Sequence, residues 1–195
     1  MNILTRLKFI FFTILLSSLS YGLISCKGGK KMPEEAAKMD SLSLLLEASA
    51  AKLKAIDSVE VELTYSATMQ DVGFVEENLK DSITREQAEA LSTYRDTRKI
   101  LKSFNKKRTS LFAEYAITEK QVKTLSADLK KGSIDQNKAY EYFVIESTEA
   151  NKLLLEMNEL NDRINSSLTK NKLYKPVVDS VVARIELKNN ILKKN

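Results

Sequence analysis

The chain has 195 residues, 43% of them hydrophobic and 29% charged, with 31 Lys and Arg against 26 Asp and Glu for a formal charge of +5. It contains no His and a single Cys, which excludes Ser-His-Asp and Cys-His nucleophile pairs and leaves no disulfide or thiolate cluster to build on. Five Gly, two Pro and no Trp suit long helices rather than a strand-and-turn fold.

At the N-terminus Arg6 and Lys8 precede an apolar run from Phe9 to Leu16, softened by Ser17, Ser18 and Ser20. The run is shorter than the ~20 apolar residues a membrane-spanning helix needs. Charge, a short apolar core and then small residues read as a secretory signal. The segment closes on Leu23-Ile24-Ser25-Cys26, which resembles the lipobox of bacterial lipoproteins. The resemblance covers the leader alone. It implies removal of residues 1–25, diacylglycerol on the Cys26 sulfur and acylation of the new amino group, the chemistry that attaches palmitate-type chains. Two or more such chains, at ~0.8 kcal/mol per buried CH₂, anchor stably where one would not. The competing readings are an ordinary secretory signal with a chance Cys and an uncleaved N-terminal helix.

Loss of the leader takes Arg6 and Lys8 with it, and the formal charge falls to +3. Most of the apparent basicity is therefore ordinary, and export argues against nucleic acid as a partner. In the lipoprotein class an Asp after the Cys marks inner-membrane retention. Lys27 stands there instead, which leans toward the outer membrane. The expected organisation is a signal peptide over 1–25, a lipidated Cys with a flexible tether over 26–40, and one helical domain over 41–195.

From Ser41 the pattern is helical, with Ser41 or Asp40 as the expected cap. Leu42, Leu46, Ser49, Leu53, Ile56 and Leu63 share one face. Val59 to Tyr65 alternates and is rich in β-branching, but a lone strand is unstable. The expectation there is a helix fraying into a loop near Asp71-Val72-Gly73. Thr84-Arg85-Glu86-Gln87 is a capping box. The helix it opens carries Leu91, Tyr94, Arg98, Leu101, Asn105, Arg108, Phe112 and Tyr115 at 3-4 spacing, flanked by Ile100, Phe104 and Leu111. A second box at Thr118 competes with the unbroken phase from Tyr115 to Val122; the spacing favours one kinked helix of ~70 Å over two short ones.

Gly132 stops that helix and Ser133, with Gln136, is the expected start of the next, so the two pack as antiparallel neighbours. Phe143, Ala150, Leu153, Met157, Leu160, Ile164 and Leu168 hold a heptad phase. Asn171 to Pro176 is expected to interrupt it, with Pro176 opening a last amphipathic helix. The fold class is all-α: an elongated antiparallel helical hairpin, as a three- to four-helix bundle with coiled-coil-like seams.

The densest chemical signal is basic: Arg95, Arg98, Lys99, Lys102, Lys106, Lys107 and Arg108, with Asp96 the one acid inside the run. Arg95, Lys99, Lys102 and Lys106 fall on one helical face, either a contact surface for an anionic partner or a solvated flank neutralised by its neighbours. Glu114, Glu119, Asp128, Glu141, Glu146, Glu149 and Glu156 are spaced as solvated surface charge. No glycine-rich phosphate loop, calcium loop or metal-ligand spacing is present, so no catalytic residue, cofactor or metal ligand is assigned. The expectation is a non-enzymatic envelope lipoprotein, held to the membrane through lipid on Cys26. It would bind another envelope protein through a helix face flanked by Phe104 and Tyr142, with self-association left open. The alternative is an envelope binding module for anionic ligands, or a stress-type periplasmic chaperone, using the basic face.

Overall fold

The computed structural model describes residues 29–192; the leader and Cys26 lie outside them. Among the described residues there are four helices and no strand: α1 (Pro33–Ala55), α2 (Ser58–Asn78), α3 (Arg85–Lys131) and α4 (Gln136–Leu192). α3 and α4 form the antiparallel hairpin, ~70 Å and ~85 Å long at 1.5 Å per residue. α1 and α2 lie end to end along it. Each packs on both hairpin helices and not on the other. Where α1 or α2 lies along the hairpin, the rod is thus three helices thick.

Contacts along the rod fix these directions. The Met32 amide donates to the Leu129 carbonyl at 3.0 Å beside the hairpin turn, and Arg108 Nη2 donates to the Lys54 carbonyl at 3.1 Å farther along. Ser49 Oγ donates to Asn158 Oδ1 at 2.9 Å, and Lys188 Nζ reaches Asp81 near the other end. α1 and α2 therefore run antiparallel to α3 and parallel to α4.

α1 begins eight residues earlier than the pattern from Ser41 suggested. Pro33 occupies its first turn, where a missing N–H costs nothing, and Glu34 and Glu35 favour the positive end of the helix dipole. Ala36 and Met39 are fully buried, so most of the segment expected as a tether is docked helix. Ile56 takes an extended conformation and Asp57 caps α2, accepting from the Val59 amide at 2.8 Å. That two-residue break resets the helical phase. Val61, Thr68, Val72 and Val75 face inward, and Leu63, expected on the apolar face, is 66% exposed. α2 runs straight through the expected loop at Asp71–Gly73; inward packing of Val72 and Val75 on both hairpin helices outweighs the weak helix preference of Gly73.

The Thr84 capping box forms as the sequence indicates, and α3 is continuous across Thr118, whose side chain is buried within it. The inward stripe, however, is Ala90, Tyr94, Thr97, Leu101, Phe104, Leu111, Val122, Leu125 and Leu129. It replaces Asn105 and Phe112 with Phe104 and Leu111. Asn105 is exposed, and Arg98, Arg108, Phe112 and Tyr115 are half-buried along the edge of the seam.

Gly132 ends α3 at φ 68°, a left-handed conformation that only glycine adopts without penalty. Its amide and that of Ser133 both close on the Asp128 carbonyl. Ser133 does not start α4: its hydroxyl donates to Asp128 Oδ1 at 2.8 Å. Asp135 starts it, accepting from the Asn137 amide at 3.1 Å. Gly132→Ala should cost about 1–2 kcal/mol through the left-handed backbone alone. It should cost more because an added Cβ would lie 2.5 Å from the Gly29 carbonyl oxygen. The midpoint of urea denaturation reads this loss.

α4 passes through Asn171–Pro176 without stopping. An interior proline removes one helical hydrogen bond and crowds the carbonyl four residues back, a cost of ~3 kcal/mol. Packing on both sides offsets it. Asn171 is buried, its Nδ2 donating to Thr68 Oγ1 at 2.7 Å, and Val178 and Val181 are fully enclosed by residues of α2 and α3. Pro176 and Lys172, whose carbonyl it leaves unpaired, lie on the exposed side. The heptad stripe before them is buried as expected from Ala150 to Leu168, with Phe143 half-buried at its start.

Candidate functional site

The four basic residues singled out from the sequence stand together on the outer flank of α3. Arg95, Lys99, Lys102 and Lys106 are all exposed and follow one another at steps of four, three and four. Counter-charge reaches only one end of the row. Arg95 lies 3.9 Å from Glu76 of α2, and Lys99 lies 3.7 Å from Asp96 of its own helix. Lys102 and Lys106 make no ion pair among the described residues. All these side chains are well solvated, so the two contacts add little stability.

Arg108, from the same run, serves the fold. The Arg108 guanidinium lies over the Phe104 and Phe112 rings, 5.5 and 5.8 Å from their centroids. It also donates to Ser58 Oγ and the Lys54 carbonyl, bridging the break between α1 and α2. A cation there complements the negative end of the α1 dipole. Lys107 lines a shallow groove of about 310 Å³ shared with Glu156, Glu159 and Arg163 of α4.

A larger open groove of about 980 Å³ follows the α1–α3 edge. Ala50 and Ala51 leave the faces of Phe112 and Tyr115 partly uncovered, with Glu47, Lys54 and Arg108 around them. Burial first, then a hydrogen bond to Glu119, pushes the Tyr115 phenol up to about 12, so it is neutral at physiological pH. Lys123, 2.6 Å from Glu119, holds that carboxyl below its ordinary value. These groups stabilise one another and present no paired acid and base.

Two polar sites were not singled out from the sequence. Tyr94, fully enclosed, donates its hydroxyl to Asp71 Oδ2 at 2.6 Å, and Lys175 Nζ lies 3.2 Å from the same oxygen. This cluster joins α2, α3 and α4 one turn from the Asn171–Thr68 contact. Glu146, expected as solvated charge, is half-buried, and burial followed by the nearby Glu149 carboxylate raises its pKa. Its place between Phe143 and Ala150 on the apolar stripe was the available signal. The Phe104 ring, expected to flank a docking face, is completely buried and touches no solvent.

Among the described residues no three His, Cys, Asp or Glu side chains are grouped to hold a metal ion, and no helix is long and apolar enough to cross a membrane. No protein-family model, curated protein or solved structure matches the chain.

Proposed function

We propose that this is a lipid-anchored protein of the bacterial cell envelope with a structural or adaptor role and no catalytic activity, binding another envelope protein through a helix face. The observation that carries the reading is the leader, in which Arg6 and Lys8, the apolar run and Leu23-Ile24-Ser25-Cys26 follow in the order that lipoprotein processing requires. The elongated body is compatible with it. Leu44, Leu63, Leu155 and Leu173 are each more than half exposed, on three different helices, so apolar contacts are available along the sides of the rod. Singly exposed apolar residues are common, and these supply attachment points rather than a ready-made patch.

Cys26→Ala tests the anchor. The variant is expected to accumulate as an unacylated precursor or to leave the membrane fraction, read by palmitate labelling and by intact mass. Unchanged mass and unchanged membrane retention would remove the reading. In-cell cross-linking of the tagged protein then tests the adaptor role, since one dominant envelope protein should be captured. The alternative, an anionic-ligand module or a stress-type chaperone, draws on the exposed Lys99, Lys102 and Lys106 row. Capture of many unfolded clients, or of lipid or glycan alone, would favour it.

A further inference from the structure

The way the chain enters the fold bears on how the body stands on a membrane. Gly29 is already packed against the hairpin turn: a Cβ there would run into the Ile134 carbonyl, and one on Gly132 would meet the Gly29 carbonyl. Three residues later the Met32 amide is bonded to the Leu129 carbonyl, and Met32 itself is buried. The chain is therefore fastened to the turn from Gly29 onward. Cys26 precedes Gly29 by three residues, a covalent reach of about 10 Å at most.

Resting on the lipid anchor at Cys26 proposed above, we infer that the rod is a stand-off: its hairpin-turn end sits against the bilayer and the opposite end, at the 79–84 connection, is held about 70 Å away. The anchor is at an end of the rod, not on its flank. Little long-range attraction pulls the sides down. Without the leader the chain carries 29 basic residues (31 less Arg6 and Lys8) against 26 acidic ones, a formal charge of only +3. So small a net charge draws the body only weakly onto an anionic surface. In the upright rod the row from Lys106 to Arg95 lies about 38–54 Å along α3 from Lys131. Exposed charges are screened within ~8 Å at physiological ionic strength, so this row cannot sense the bilayer beneath it.

Energy transfer from single dyes to the membrane tests the geometry. Lys131 and Ser82 are exposed at the two ends. Lys131→Cys and Ser82→Cys are labelled separately in the full processed protein, purified from its cells and placed in phosphatidylethanolamine–phosphatidylglycerol vesicles carrying an acceptor lipid. Strong transfer from position 131 and several-fold weaker transfer from position 82 is the expected result. Equal, strong transfer from both would mean a rod lying flat and would overturn the stand-off. Weak transfer from both would mean that the turn is not at the membrane, and would overturn it too. Mass analysis of the N-terminal peptide keeps the two readings apart. An unacylated Cys26 defeats the anchor itself, whereas acylated protein with equal transfer from both ends defeats only the stand-off.

Discussion

Phe104→Ala is expected to lower the unfolding free energy by about 3–5 kcal/mol, the usual cost of truncating an enclosed phenylalanine. Phe104 has no solvent exposure and belongs to the central cluster with Leu53, Leu101, Leu111 and Leu153. Its ring also supports the Arg108 guanidinium, which bridges the α1–α2 break. Truncation therefore opens a cavity in the middle of the rod and loosens that bridge as well. Urea denaturation followed by circular dichroism reads the loss. Leu155→Ala, at a position 59% exposed, should shift stability by no more than about 0.5 kcal/mol and serves as the control. A Phe104 variant as stable as the control would contradict the packing described above. A partner-binding defect in Phe104→Ala would report unfolding; exposed positions such as Leu155 are the ones that can report docking.

Tyr94→Phe is expected to cost about 1.5–3 kcal/mol at neutral pH, the range for a hydrogen bond to a charged group. The hydroxyl donates to the Asp71 carboxylate at 2.6 Å, and its removal leaves Lys175 as the remaining partner of that oxygen. The same substitution should change the alkaline limb of the stability profile. Burial, reinforced by the Asp71 contact, pushes the Tyr94 phenol up to about 12, against 10.0 for an ordinary tyrosine. Between those two values the unfolded chain releases this proton and the folded chain keeps it. The folded state then binds more protons, so stability falls as pH rises. The contribution is complete below pH 10 and gone above about pH 12. Denaturation midpoints measured across this window should fall less steeply in Tyr94→Phe than in the parent. Tyr115, shifted the same way, keeps its own share of the slope in both. Parallel curves would show that Tyr94 does not hold its proton through the fold.

The local signals in the sequence determined a good part of this architecture. The Thr84 box, the left-handed stop at Gly132 and the heptad phase from Ala150 to Leu168 each depend on residues a few positions apart. They specify helix ends and one apolar face whatever surrounds them, and together they define an all-α hairpin with further helices packed on it. The outward basic row on α3 was legible for the same reason: helical spacing alone puts Arg95, Lys99, Lys102 and Lys106 on one flank.

Tertiary packing decided the rest, wherever two partners compete for a wide apolar stripe or offset a local penalty. On α3, Phe104 and Phe112 have similar claims to the interior by pattern. Phe104 joins the central cluster with Leu53, Val61, Leu160 and Ile164, while Ala50 and Ala51 on α1 leave Phe112 at the rim. Pro176 breaks a helix in isolation, yet α4 continues because Asn171 bonds across to α2 and Val178 and Val181 are enclosed by α2 and α3. The polar stretch after Cys26 reads as a tether until Ala36 and Met39 find the hairpin to pack on. Glycine at 29 and 132 then lets the chain close against the turn, where a side chain would collide with backbone. Each of these outcomes depends on contacts between residues far apart in the sequence, which local sequence pattern does not encode.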